Sequence, residues 1–63
     1  MRIDRFKMTV ELMKKDFTLK KLSELSGVSR QTVIAVKNGK SCSEETAVKI
    51  AKALGVAVQD IIE

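Results

Sequence analysis

Three glycine-bearing stops cut this chain into pieces too short to fold alone. Gly27, Asn38-Gly39 and Gly55 interrupt a 63-residue sequence that contains no proline. Thr18, Ser29 and Ser43 each stand just before a stretch with helical apolar spacing. A hydroxyl in that position accepts a backbone N–H that the first turn leaves unpaired. A glycine at the other end reaches left-handed backbone and closes the helix without a Cβ penalty. Helices of roughly ten residues are marginal in water by themselves, so the pieces must bury apolar faces against one another.

The spacing predicts five such pieces. The first runs from about Asp4 to Lys15, with Ile3, Phe6, Val10, Met13 and Phe17 recurring every three or four residues as its inward face. The second follows Thr18, carries Leu19, Leu22, Ser23 and Leu25, and stops at Gly27. The third follows Ser29 and spans Arg30 to Lys37, with Val33 and Val36 inward. The fourth starts at Ser43, or at Ser41 if Ser41 and Glu44 form a capping box, and buries Ala47, Ile50, Ala51 and Leu54. The fifth is a short segment, Val58 to Ile62. Phe6 and Phe17 are the only aromatic residues and Trp and Tyr are absent, a composition that favours helices over strands. The expected fold is all-α, a compact bundle of about five short helices forming a single domain over residues 1–63.

Composition narrows the function. A domain of about 60 residues buries only about 60% of its unfolded surface, which leaves no room for an internal substrate cavity. There is no histidine, and Cys42 is the single cysteine. A thiol without an imidazole base is a poor nucleophile pair, and one cysteine without histidine is no zinc site. Neither an enzyme, a metal nor a cofactor is expected. One cysteine also precludes an intramolecular disulfide, as suits a reducing compartment. No apolar run approaches the roughly 20 residues that span a bilayer, and Met1-Arg2-Ile3-Asp4-Arg5 lacks the apolar stretch of a signal peptide. The expected location is the cytoplasm of a bacterium or a phage-infected cell, with no membrane partner. Twelve basic against eight acidic residues give a net charge of +4, which favours a polyanionic partner.

The most informative stretch is Leu19 to Lys40. Two short helices are separated by Ser26-Gly27-Val28, the tight glycine-containing turn that a helix-turn-helix requires. Small Ser23 permits close helix approach, and Val28 can plug the turn. The run Leu19-Lys-Lys-Leu-Ser-Glu-Leu-Ser-Gly-Val-Ser-Arg-Gln-Thr-Val resembles the motif of the phage lambda-type repressor and Cro (XRE-like) helix-turn-helix family, here placed at about 18–38. Lys37-Asn38-Gly39-Lys40 is similar to that family's loop after the recognition helix. Thr46-Ala-Val-Lys-Ile-Ala-Lys-Ala-Leu-Gly-Val is similar to its fourth helix and the turn beyond. Two departures are visible. Lys37 stands where family members often carry an acid, and Ile34 and Ala35 stand where some relatives carry polar readers.

The resemblance implies a lambda repressor-like domain that binds double-stranded DNA and regulates transcription, a small Cro- or repressor-like protein whose third helix lies in the major groove. Arg30 and Gln31 are then the prime base readers, since Arg pairs bidentately with guanine and Gln with adenine. Ile34 and Ala35 are candidates for thymine methyl contacts. Thr18 and Leu19, at the start of the second helix, could hold a phosphate through backbone N–H groups. Ser29, Thr32, Lys37, Asn38 and Lys40 are placed to contact phosphates around the third helix. A homodimer, at least on DNA, is expected, paired through the C-terminal apolar edge of Val56, Val58, Ile61 and Ile62. The alternative with the same fold is a protein-interaction adaptor, antitoxin- or antirepressor-like. Arg30, Gln31, Lys37 and Lys40 favour DNA; Ile34 and Ala35 leave room for a protein.

Overall fold

The computed structural model describes residues 1–63. Four α-helices follow one another: α1 (Arg5–Lys15), α2 (Leu19–Ser26), α3 (Arg30–Lys37) and α4 (Glu44–Leu54), and a single 3₁₀ turn, Val58–Asp60, closes the chain. The capping chemistry decides where each helix begins. Asp4 accepts from the N–H groups of Phe6 and Lys7 at 2.9 and 3.1 Å. The hydroxyls of Thr18, Ser29 and Ser43 accept from Lys21, Thr32 and Thr46 at 3.1, 3.2 and 3.2 Å. Ser43 therefore caps α4, and the capping box from Ser41 is not formed. Glu44 and Glu45 lie in the first turn of α4, where the helix dipole favours anions. α2 ends where Gly27 takes φ +74°. α1 ends without glycine: Asp16 takes φ 56° and donates its N–H back to Met13.

Twelve apolar residues form one core. Leu22 of α2, Val33 and Val36 of α3, and Ala47, Ile50, Ala51 and Leu54 of α4 lie in it, as their spacing predicts. The first helix differs from expectation. Met8 and Leu12 are its buried residues, whereas Phe6 is 78% exposed, Met13 74% and Val10 47%. The physical reason lies at the helix ends. Ile3 and Phe17 fall outside Arg5–Lys15, so helical spacing does not relate them to the three residues between. What remains is a trio, Phe6, Val10 and Met13, on the side opposite Met8 and Leu12, and the core takes the latter pair.

The C-terminus also differs from expectation. In place of a fifth α-helix there is one 3₁₀ turn, after which Ile62 pairs with Ile3 in an antiparallel bridge. Asp4 N–H donates to the Ile61 carbonyl at 2.7 Å and Glu63 N–H to the Arg2 carbonyl at 3.1 Å. Ile3 and Ile61 are both completely buried. Val56, Val58 and Ile62 are half-buried and pack against the same core. The apolar edge expected to pair two subunits is thus largely spent inside one. Five residues at the end of so small a domain are too few for an independent helix; the turn bonds the N–H groups of Asp60, Ile61 and Ile62, and the Ile61 carbonyl accepts from Asp4.

Candidate nucleic-acid interface

α2, its turn and α3 form a right-sized frame for presenting one helix outward. Ser23 of α2 donates its hydroxyl proton to the Val28 carbonyl at 2.6 Å, and Ser26 accepts from Val28 N–H at 3.2 Å. The turn is thereby tied to α2 from both sides, while Val28 is only 8% exposed and fills the angle beneath it. Val33 and Val36 then hold the inner face of α3 at 0% and 1% exposure. No buried polar side-chain atom lacks a partner.

With Val33 and Val36 inward, the helical repeat turns Gln31, Ile34, Ala35 and Asn38 outward. Gln31, Ile34 and Asn38 are exposed and Ala35 is half-buried. Arg30 is exposed in the first turn, on the edge of α3 that also carries half-buried Lys37. Depressions flank the helix on both sides. On one side Lys37 shares a shallow hollow with Phe17, Thr18 and Leu19 at the start of α2. On the other, Gln31, Thr32 and Ala35 meet Lys40 and Ser43 across the α3–α4 loop.

The candidate phosphate residues therefore do not form one cluster. Thr18, Leu19 and Lys37 lie together, with Thr18 exposed and Leu19 half-buried against the core. The N–H groups of Leu19 and Lys20 have no acceptor within the helix, as at any helix start. Ser29 and Thr32 join each other, Ser29 Oγ donating to Thr32 Oγ1 at 2.8 Å. Lys40 is exposed beyond the end of α3, its N–H bonded to the Ala35 carbonyl at 3.0 Å. Asn38 N–H caps α3 through the carbonyls of Ile34 and Ala35, and its side chain is exposed.

One pair of residues near this surface escaped sequence reasoning. Arg2 donates from Nε to the Gly39 carbonyl at 3.2 Å, and Arg5 lies beside the same glycine. The separation of 37 residues in the Arg2 bond leaves no periodic trace in the sequence. The only signal was that the N-terminal segment, like the loop, is basic.

A tied turn, a valine-pinned second helix and an outward polar-apolar face define a helix-turn-helix domain, the class that places its second helix in the major groove of DNA. The helix-turn-helix family matches the chain over residues 11–61. An uncharacterized HTH-type transcriptional regulator of Methanocaldococcus jannaschii is 47% identical over 47 residues, covering 73% of this chain and 71% of its own length. No solved structure matches the chain. The chain belongs to the XRE-like helix-turn-helix family. No helix is long and apolar enough to cross a membrane.

Proposed function

We propose that the protein is a DNA-binding transcription regulator, Cro- or repressor-like, that acts by binding double-stranded DNA rather than by catalysis. The observation that carries this reading is the outward face of α3, where Gln31 and Ile34 are exposed while Val33 and Val36 pin the helix from behind. The similarity to a protein named as a transcriptional regulator supports it.

In this reading Arg30 and Gln31 hydrogen-bond base edges. Ile34, 41% exposed, and Ala35 touch thymine methyl groups. Thr18, Leu19 and Lys37 hold one phosphate strand, and Ser29, Thr32, Asn38 and Lys40 the flanks of α3, fixing register without reading sequence. Two copies bind one duplex, with half-sites about 34 Å apart. Their pairing cannot centre on Ile61, which is completely buried. Acting on DNA, the protein works in the cytoplasm.

Selection from a randomised duplex pool followed by sequencing tests the reading. The expected result is an enriched two-fold-related motif. Recovery of no motif would overturn it in favour of the protein-interaction adaptor, whose surface would be the same α3 face with Ile34 and Ala35 at its centre.

A further inference from the structure

The folded chain gathers positive charge at a place that the recognition motif does not include. A side chain on Gly39 would begin 3.5 Å from Arg5 Cδ, 3.8 Å from Arg5 Nε and 3.7 Å from Arg2 Nη2. Both guanidinium groups therefore stand over the loop that follows α3. Arg5 also lines a shallow hollow with Thr9, Lys37 and Asn38. Arg2 is partly engaged there: its Nε donates to the Gly39 carbonyl and lies 3.8 Å from a Glu63 carboxylate oxygen. The Arg5 side chain forms no hydrogen bond or ion pair within the chain, and it is exposed. Arg2, Arg5 and Lys37 thus border a loop that itself carries Lys40, and Glu63 is the one acid paired to any of the four.

Such a grouping costs self-repulsion in the free protein, and an anion relieves it. A guanidinium offers a planar fork of donors that matches two phosphate oxygens at once. Gly39 has no side chain to shield the fork, and Asn38 presents an amide on the same rim. We propose that Arg5 is a DNA phosphate contact of its own at the α1–α3 edge, beside the positions that Lys37 and Asn38 hold. Arg2 ties the loop through the Gly39 carbonyl. The assignment rests on the DNA reading above. It extends the footprint from the two α3 flanks onto the N-terminal helix, about one further phosphate per bound copy.

Binding titrations at several salt concentrations test it, on a selected duplex and on a scrambled one, with wild type, Arg5→Gln, Arg5→Lys and Lys52→Gln. Lys52 is an exposed cation in the last turn of α4 and controls for net charge alone. For Arg5→Gln the log–log salt slope should fall by about one per bound copy, with affinity reduced by the same factor on both duplexes. Arg5→Lys should restore the slope and recover only part of the affinity, because ammonium cannot fork. Lys52→Gln should keep the wild-type slope. The melting temperature of Arg5→Gln should not fall below wild type, since no intramolecular bond is lost and one repelling charge is removed. A wild-type slope in Arg5→Gln, or an equal fall in Lys52→Gln, overturns the assignment of Arg5 while leaving the DNA reading standing. If wild type itself binds neither duplex, the DNA reading fails, and the phosphate assignment with it.

Discussion

α2, its turn and α3 are built from neighbours, whereas the two termini, and the side of α1 that they help to bury, are built from partners distant along the chain. In the first region the decisive bonds join residues three to five apart: Thr18 with Lys21, Ser23 with Val28, Ser29 with Thr32. In the second they join Arg2 with Gly39 and Ile3 with Ile62. Spacing alone determines the buried face only where the contacts are local. A short helix fenced by a hydroxyl cap and a glycine stop has one apolar face to offer. α1 has two, Met8 with Leu12 and Phe6 with Val10 and Met13, and only packing against the rest of the chain chooses between them.

The largest expected effect lies in the locally built region. Leu22 is completely buried under the motif, and Leu22→Ala should destabilise the fold by roughly 2–5 kcal/mol. Small domains hold about 5–15 kcal/mol in total, so urea or thermal melts should show a large loss of cooperative structure. A wild-type melt would mean that α2 does not pack as described.

α1 supplies a sharper comparison, because it carries the same residue type on opposite faces. Met8 is 0% exposed and Met13 74%. Met8→Ala should cost roughly 2–5 kcal/mol, and Met13→Ala no more than about 0.5 kcal/mol. Reversed magnitudes in parallel urea titrations would restore the stripe that sequence spacing favours and contradict the burial described here.

That pair also shows how far the sequence could be read. The caps at Thr18, Ser29 and Ser43, the stops at Gly27 and Gly55, and the buried residues of α3 and α4 were all legible, because each follows from a local backbone requirement; the cap at Asp4 was not, and spacing starts that helix on Asp4 itself. The inward face of α1 was not, because its longest apolar stripe borrowed Ile3 and Phe17 from beyond the helix ends. The C-terminal edge was misjudged for a related reason. Val56, Val58, Ile61 and Ile62 are apolar and close together, but the bridge between Ile3 and Ile62 that folds them inward joins residues 59 positions apart. At the interface, the outward set on α3 followed from the valines beneath it; the approach of Arg2 and Arg5 to Gly39 had no local cause to betray it.

Ser23→Ala tests the turn with a smaller effect. It removes the 2.6 Å bond to the Val28 carbonyl and leaves that part-buried acceptor without this partner. The expected cost is about 1 kcal/mol, measured by thermal melting. A change several times larger would mean that the bond determines whether the turn forms rather than merely steadying it.

Gln31→Ala tests whether the outward face of α3 reads sequence. Gln31 is exposed in the first turn, and its loss removes no charge. Titrations on a selected duplex and a scrambled one, at several salt concentrations, should show cognate affinity falling by about 1–3 kcal/mol. The scrambled duplex should be bound as before, the salt slope should stay unchanged, and preference should relax at one base pair. If affinity instead falls equally on both duplexes, Gln31 reads no base, and α3 does not lie in the major groove as the account requires.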